Sequence, residues 1–285
     1  MKVLRREFYN VSRSDVYHII PVGDVHMGSI ACDESSLKAT IDRIANDPMA
    51  YWIGMGDACE FINVSDKRFD VTALAPWIGR DDLADIARVQ VERFLSFVKP
   101  IASKCLAIVN GNHEDMLKRR YERDIYSEIV TTIKAWGGFP ADATLGLGVY
   151  GWLILAFYNT ASHSKGVEKY TLNLHHGFVA GRTAGGKALN MERWLWTHDA
   201  DLCLMGHSHN RDVVTAQVEY VDRNGHVCHT LRRGAYTGTF LRTVNPDGPA
   251  TYSEAKGYIP QGTGTIEIHL RPHAHERLDA VRLIV

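Results

Sequence analysis

An α/β fold with two sheets is predicted by the order of apolar runs along the 285-residue chain. Short apolar runs that end in Gly and polar residues are typical of strands, and they lie at 17–24, 50–57, 105–113, 170–177 and 201–209. Segments with apolar residues at helical spacing lie at 34–46, 81–99 and 114–136. Strands that alternate with helices indicate βαβ units and a largely parallel sheet. After about residue 140, short β-like runs broken by Gly, Asn and Pro predict a second sheet.

A single domain is expected to span residues 1–285. A chain of this length can bury most of the surface that its unfolded form exposes. The sequence shows no internal repeat and no low-complexity tract. The stretch at 243–264 is rich in Gly and Pro, and we interpret it as a long irregular loop within the domain.

Composition and charge exclude several classes of protein. Hydrophobic residues make up 45% of the chain and charged residues 23%, which argues against a disordered or fibrous protein. The 32 Lys and Arg residues and 33 Asp and Glu residues give a formal charge of -1. A nucleic-acid-binding module without chemistry would carry a basic excess, which this chain lacks.

Cysteine usage and hydropathy predict a cytoplasmic protein that does not contact a membrane. The five cysteines form an odd set without C-x-x-C spacing, as expected of reduced thiols. The first residues lack the apolar stretch of a signal peptide, and no window reaches the roughly 18 consecutive apolar residues of a membrane span.

Residues of metal-binding type follow each of the five predicted strands. They are Asp24 and His26, Asp57, Asn112 and His113, His175 and His176, and His207 and His209. Open α/β sheets place their ligand sites at the carboxyl ends of strands. A set of carboxylate, imidazole and amide groups without cysteine suits Mn, Fe or Zn. In D-x-H and H-x-H the two side chains leave one face of an extended strand end, so each pair can reach one metal or two adjacent ones.

The motifs GDVH, GMGD, GNHE, HHG and GHSH, in this order and each after an apolar run, resemble those of the calcineurin-like metallophosphoesterase family. They span 24–209, most of the chain. The resemblance implies a four-layer fold, in which two mixed β-sheets pack as a sandwich flanked by α-helices. It also implies a hydrolase that acts on phosphoesters at a dinuclear centre. The expected metal for both divalent ions is Mn, with Fe, Zn or Ni as alternatives.

The resemblance also implies a role for each motif residue. One metal would be held by Asp24, His26 and His209, and the other by Asn112, His207 and a histidine of HHG. Asp57 would bridge the two metals. His113 would stay unligated and face the leaving-group oxygen as general acid, or help to hold the phosphate.

The histidine of HHG that binds metal is expected to be His175. Related proteins often carry the ligand as H-x-G, and His175 shares a strand face with Asn173 and Thr171. His176 would then lie behind the ligands or contact the substrate.

Two acidic residues near the ligands are expected to support them. Glu60 stands where the family often has Asp, and Phe61 where Arg is common. We expect Glu60 to lie behind the ligands, with direct metal contact as the alternative. Glu114 is expected to accept a hydrogen bond that orients the imidazole of His113.

The substrate is predicted to be a phosphodiester of a nucleotide or nucleic acid. The segment 181–196 follows HHG and combines basic with aromatic residues, so its cations are candidate substrate contacts, namely Arg182, Lys187 and Arg193. A helix that buries its tryptophans is the alternative reading of this segment. The runner-up activity is a phosphomonoesterase acting on nucleotides or phosphoproteins. A non-catalytic scaffold of the same fold is a third hypothesis, against which the full set of ligand types argues.

Overall fold

Two mixed β-sheets pack face to face in the computed structural model, which describes residues 2–160, 167–178, 183–245, 251–274 and 280–285. The helices are α1 (Glu34–Asn46), α2 (Ile86–Val98), α3 (Asn112–Tyr121), α4 (Ile125–Trp136), α5 (Ala184–Thr197) and α6 (Tyr252–Ala255). The strands are β1 (Lys2–Phe8), β2 (Tyr17–Val22), β3 (Ala50–Gly54), β4 (Cys105–Val109), β5 (Gly146–Gly148), β6 (Tyr150–Tyr158), β7 (Val167–His175), β8 (Leu202–Met205), β9 (Arg211–Val221), β10 (Val227–Thr239), β11 (Gly264–Thr265), β12 (Glu267–Leu270) and β13 (Val281–Ile284). Short 3₁₀ turns lie at Val71–Ala73, Asp81–Asp85 and Lys99–Lys104.

Both sheets mix parallel and antiparallel pairs. The first sheet has the strand order β1–β6–β7–β8–β10–β11, and β9 pairs with β10 to form a long hairpin. Its parallel pairs are β1 with β6, β7 with β8, and β8 with β10. The second sheet has the order β13–β12–β2–β3–β4–β5, in which β2 to β5 are parallel and β12 and β13 are antiparallel additions.

The facing surfaces of the two sheets enclose a shared apolar core. Ile19 and Ile53 of the second sheet and Leu155, Leu172 and Leu204 of the first have no exposed surface. Alternate residues of each strand point into this core because side chains alternate across a sheet. Full burial of a side chain of this size stabilises the fold by roughly 1.5–3 kcal/mol.

Helices cover the outer face of each sheet. Helix α1 buries Leu37, Ile41 and Ile44 at helical spacing, and with α2 and α4 it packs on the second sheet. Helix α5 packs Met191 and Leu195 on the first sheet. The molecule therefore has four layers, helix–sheet–sheet–helix, which confirms the predicted fold class.

The segment 114–136 forms two helices where its apolar spacing predicts one stretch. Helix α3 ends at Tyr121, and the next residue, Glu122, has a left-handed backbone with φ 56°. Two residues later the carboxylate of Asp124 accepts a hydrogen bond from the backbone N–H of Ser127 at 3.1 Å and starts α4. An Asp at this position satisfies a donor that the first turn of a helix leaves unpaired, so it favours a new helix start.

The segment after β10 is closed at its base by hydrogen bonds. The hydroxyl of Thr243 donates to the carbonyl oxygen of Gln261 at 3.2 Å and accepts from the backbone N–H of Gln261 at 2.9 Å. Helix α6 lies within this segment, which is the long loop expected at 243–264. Its two ends are therefore held together beside the carboxyl ends of the strands.

Asp33 joins the start of α1 to the chain that follows β10. Its carboxylate accepts hydrogen bonds from Ser36 N at 3.1 Å, from Arg242 Nη2 at 3.1 Å and from Thr263 Oγ1 at 2.9 Å. Burial raises the pKa of Asp33, but the hydrogen bonds from Ser35 and Ser36 and the other donors outweigh it and lower the pKa to about 2. The ionised form is thus stabilised by folding.

Asp33→Ala is expected to destabilise the protein by about 1 kcal/mol, the usual cost of losing a helix cap. Because the pKa of Asp33 is depressed from 3.8, its contribution is present above that pH and is lost as the pH falls towards 2. Urea unfolding at pH 7 and at successively lower pH would measure this. The difference from wild type should shrink on acidification, whereas Asp70→Ala, at an exposed turn, should have a smaller effect. Equal stability of Asp33→Ala and wild type at pH 7 would contradict the prediction.

Among the residues that the structure describes, no helix has both the length and the apolar character needed to cross a lipid bilayer.

Candidate metal centre

The residues of metal-binding type meet at one edge of the sandwich. Asp24 and His26 follow β2, Asp57 follows β3, Asn112 and His113 begin α3 after β4, His176 follows β7, and His207 and His209 follow β8. The carboxyl ends of parallel strands within each sheet reach the same edge, which is why residues far apart in sequence converge.

One group of donors consists of Asp24, His26 and His209, whose ligand atoms lie within 4.8 Å of one another. The Nε2 atoms of His26 and His209 are 3.2 Å apart, and Nε2 of His209 is 3.4 Å from Oδ1 of Asp24. Asp24 is completely buried. Burial raises the pKa of this carboxyl, but the hydrogen bond and charge of His209 and the charge of His176 lower it below its ordinary value.

A second group consists of Asp57, His176 and His207, again with ligand atoms within 4.8 Å of one another. Nε2 of His176 is 3.2 Å from Oδ2 of Asp57 and 2.9 Å from Oδ1 of Asn112, so the Asn112 amide oxygen belongs to the same group. Burial lowers the pKa of His207, which favours the neutral imidazole that metals require.

Asp57 lies between the two groups. Its Oδ2 contacts His176 of the second group and is 4.0 Å from Nε2 of His26 in the first. Its Oδ1 accepts a hydrogen bond from the backbone N–H of His113 at 2.9 Å, where the positive end of α3 favours a negative charge. Burial raises the pKa of Asp57, but the charges of His176 and His113 outweigh it and hold the pKa well below 3.8.

The charge distribution fits cations. Burial lowers the pKa of His176, but the charge of Asp57 and its hydrogen bond raise it to about 10. The field that favours a proton on this imidazole would equally favour a divalent ion, because both carry positive charge. The donors are carboxylate, imidazole and amide oxygen, a combination suited to Mn, Fe or Zn.

Five residues of the two groups have left-handed backbone, a conformation that L-residues other than Gly seldom adopt. They are Asp24 (φ 47°), His26 (φ 50°), Asp57 (φ 50°), His207 (φ 63°) and His209 (φ 59°). Each such residue costs of order 1–3 kcal/mol and is retained where the surroundings impose it, most often at functional sites. Backbone strain and donor atoms therefore independently identify the same region as the candidate functional site.

The structure places His176, and not His175, among the donors, which corrects the expectation for HHG. Leu172 and Leu174 point into the core between the sheets, and His176 continues on that side beyond the end of β7. His175 points to the outer face, where its ring centroid is 5.0 Å from that of Trp194. Asn173 lies on this face too, and its Oδ1 accepts from Trp194 Nε1 at 2.8 Å. The polar face of β7 therefore serves helix α5 and not the donor groups.

His176→Ala is expected to lower kcat/KM for a phosphoester by about 10³-fold, because it would remove one of the donors and with it part of the several kcal/mol of stabilisation that a bound metal would supply. His175→Ala should change kcat/KM by less than about 10-fold, since it alters only aromatic packing at the outer face. Metal content measured by atomic emission should fall in the first variant alone. A larger loss of activity and metal in His175→Ala than in His176→Ala would instead support His175 as the metal ligand.

Glu60 and Glu114 both support the donor residues through hydrogen bonds. The partners of Glu114 differ from the expected one, His113. Oε2 of Glu60 is 2.8 Å from Nδ1 of His26, which orients that imidazole and leaves its Nε2 towards the donors. Glu114 accepts from the backbone N–H groups of Asp57 at 3.1 Å and Ala58 at 2.7 Å, so it does not orient His113. It is buried at the start of α3 and fixes the loop that carries Asp57.

His113 forms a third close group with His26 and Glu60, whose ligand atoms also lie within 4.8 Å of one another, and it lies beside the two groups that Asp57 faces. Its Nδ1 lies 2.5 Å from the carbonyl oxygen of Glu60, a hydrogen bond that directs Nε2 away from the protein backbone. Its ring meets that of His26 edge-on at 4.7 Å. Burial lowers the pKa of His113, but the charges of Asp57 and Glu60 and the bond to the Glu60 carbonyl raise it above 6.5.

A cleft of about 620 Å³ opens over these residues. His26, Asp57, Asn112, His113, His207 and His209 line one part of it. Lys187, at the start of α5, also lines the cleft, and its ammonium donates to Ser208 O at 3.2 Å and to Oδ1 of Asn210. Arg193 lies exposed on α5 and is not among the lining residues, and Arg182 lies outside the described residues.

No pattern in the amino-acid sequence indicated the other walls of the cleft. Phe69 and Leu74 come from the chain between β3 and α2, and Leu241 and Ile259 from the loop after β10. These four residues are apolar and lie in irregular stretches, so no sequence motif marks them as part of a site. Only their proximity in three dimensions assigns them to the cleft.

Comparison with known proteins gives one family. The family model described as calcineurin-like phosphoesterase matches residues 17–211. No curated protein matches the chain. A metallophosphoesterase from Sphaerobacter thermophilus has 12% sequence identity and a TM-score of 0.37, with 95% of this chain and 87% of that chain covered.

Two further solved structures are comparably distant. A predicted phosphoesterase from Streptococcus pneumoniae TIGR4 has 12% identity and a TM-score of 0.33, with 90% of this chain and 84% of that chain covered. Wild-type Vps29 from Entamoeba histolytica, in complex with Zn²⁺, has 8% identity and a TM-score of 0.36, with 90% of this chain and 87% of that chain covered.

Proposed function

The chain belongs to the calcineurin-like phosphoesterase family, a membership that implies a hydrolase acting on phosphoesters, and we propose that it cleaves a phosphodiester at a site that binds two divalent metal ions. Mn is the proposed metal, with Fe, Zn or Ni as alternatives. The proposed substrate is a nucleotide or nucleic acid.

The position of Asp57 carries this proposal. Its carboxylate contacts His176 and lies 4.0 Å from His26, so one negative group faces both sets of donors. Two cations a few ångströms apart repel each other, and a shared carboxylate reduces this repulsion where neutral imidazoles would not. Asp24, His26 and His209 would hold one ion, and Asn112, His176 and His207 the other.

When bound, two divalent ions would polarise the phosphoryl oxygens and lower the pKa of a water molecule that attacks phosphorus. The protein itself would position the metal donors and supply a proton to the leaving group. The left-handed backbone at Asp24 and His26 fixes the donors before substrate arrives. His113, oriented by the Glu60 carbonyl, would give the proton on Nε2 to the departing ester oxygen.

The charges around the cleft support a diester over a monoester. Three cationic side chains line it, Arg68, Lys187 and Arg242, against four carboxylates, Asp57, Glu60, Asp70 and Asp212. Arg68 is paired with Asp66 and Arg242 with Asp33. Because these two arginines are already paired, the cleft outside the proposed metal ligands offers little positive charge to balance the additional negative charge that a phosphomonoester carries near neutral pH. A singly charged diester fits this surface better.

The test compares bis-p-nitrophenyl phosphate with p-nitrophenyl phosphate after metal removal and re-addition of Mn²⁺. Hydrolysis of the diester that depends on Mn²⁺ and exceeds that of the monoester is expected. Preference for the monoester would favour the phosphomonoesterase alternative. A protein that retains no metal and hydrolyses neither compound would favour a non-catalytic scaffold.

A further inference from the structure

We infer that the cleft beside the donor groups binds the nucleoside part of a small phosphodiester, so that the substrate is a nucleotide-sized ester and not a nucleic-acid polymer. This inference rests on the proposed diesterase activity and specifies its substrate class. The evidence for it is the shape, polarity and charge of the cleft walls that lie outside the donor groups.

One wall is built directly onto the donor groups. The chain that follows His26 runs through tight turns and pairs with neighbours on both sides, through an isolated bridge of Ser29 with Leu74 and another of Cys32 with Leu241. Backbone hydrogen bonds reinforce these pairs, from Ile30 N to Ala73 O at 2.8 Å and from Arg242 N to Ala31 O at 2.8 Å. The wall is thus fixed in position relative to the donors.

The walls present apolar side chains to the cleft. Ile30, Ile62, Phe69, Leu74 and Leu241 are each only partly buried, and Ile259 is 59% exposed. Contiguous apolar surface of this kind, rimmed by polar groups, marks a binding site more often than it marks plain surface. Phe69 supplies an aromatic ring on which a flat group can stack.

Polar groups among these side chains favour a nucleoside over a lipid. Thr72, Ser253 and Gln261 line the same cleft with hydroxyl and amide groups, and Asn210 adds a second amide. A base and a ribose need such partners at their edges, whereas an acyl chain needs none. The hydroxyl of Ser208, also in the cleft, is buried without a hydrogen-bond partner among the described residues.

Charge and size argue against a polymer. The three cations and four carboxylates of the cleft leave it with one more negative than positive side chain before any metal is bound. A strand of nucleic acid is held by a track of cations along its successive phosphates, and the lining residues form no such track. A cleft of about 620 Å³ is of the size that encloses a single small ligand.

The test uses two diesters with the same leaving group and the same charge, the p-nitrophenyl ester of thymidine 5′-phosphate and methyl p-nitrophenyl phosphate. For the Mn²⁺-loaded protein, kcat/KM is expected to be about 10-fold higher for the thymidine ester, a preference within the range that stacking of one base on an aromatic ring supplies. Phe69→Ala should reduce this ratio about 10-fold. Ile259→Ser, at an exposed position that folding does not require, should also reduce it, whereas Val71→Ala, outside the cleft, should leave it unchanged.

A binding measurement separates this inference from the proposed activity. Calorimetric titration of the Mn²⁺-loaded protein should show thymidine 5′-monophosphate binding at least about 10-fold more tightly than inorganic phosphate, with the difference lost in Phe69→Ala. If neither ester is hydrolysed but the nucleotide binds in this way, the cleft assignment stands and the diesterase proposal fails. Hydrolysis of both esters at equal kcat/KM, with no tighter nucleotide binding, would overturn the inference alone. So would a single-stranded oligonucleotide that is the better substrate and whose kcat/KM falls steeply with salt.

Discussion

Asp57→Asn is expected to lower kcat/KM for a phosphodiester by at least about 10³-fold, which corresponds to about 4 kcal/mol of transition-state stabilisation. The carboxylate faces both donor groups and accepts a hydrogen bond from the start of α3, so an amide would remove the charge shared by the two groups. Removing one partner from a buried charge cluster costs several kcal/mol because the others are left unbalanced. Atomic emission should show metal content falling below two ions per chain.

The matched control for this variant is Asp47→Asn. Like Asp57, Asp47 is a carboxylate paired with a histidine, but it is only partly buried, contacts His18 and Arg43, and lies outside the donor groups. It should retain both metals and kcat/KM within about 10-fold of wild type. If Asp57→Asn retained two metals and near-normal activity, Asp57 would not bridge and the two-ion proposal would be wrong.

His113→Ala is expected to lower kcat by about 10²–10⁴-fold for a substrate with a poor leaving group, such as a dinucleotide, while metal content stays unchanged. The effect should be much smaller for a p-nitrophenyl ester, because p-nitrophenolate leaves without needing a proton. The comparison of the two substrates isolates the acid role that the contact between His113 and the Glu60 carbonyl suggests.

The pH profile provides a second readout of His113. An acid must be protonated, so activity should fall as the pH rises through the pKa of His113, which Asp57 and Glu60 raise above 6.5. This alkaline decline should be absent from His113→Ala on the dinucleotide. Equal losses on both substrates would instead assign His113 to holding the phosphate.

The sequence allowed much of this geometry to be anticipated. The order of apolar runs predicted two sheets with helices between the strands, and the family and fold class that the motifs implied are confirmed. The structure brings together Asp24, His26, Asp57 and their partners because each follows a buried strand, and strands end at a shared edge. Periodicity and strand ends are properties of short segments, so sequence patterns can reveal them.

The remaining features depend on contacts that no short segment contains. The polar face of β7 looked like the face of the site, yet Asn173 is polar because Trp194 of α5 needs an acceptor there. The partner of Glu114 is the backbone after β3, which residue identity cannot indicate. The assignment of His113 as acid, the identity of the metals, the single domain and the cytoplasmic location stay predictions.

The left-handed backbone at five of the donor residues has a consequence for attempts to engineer this protein for heat resistance. Glycine adopts that conformation without strain, so substitution of Asp24, His26, Asp57, His207 or His209 by glycine would relieve backbone energy that the native residues store. A screen that rewards survival on heating and ignores turnover would therefore favour glycine at those of the proposed metal-binding positions where the strain relieved exceeds the interactions lost with the side chain. A library built for thermostability should keep these five codons constant and seek its gains elsewhere.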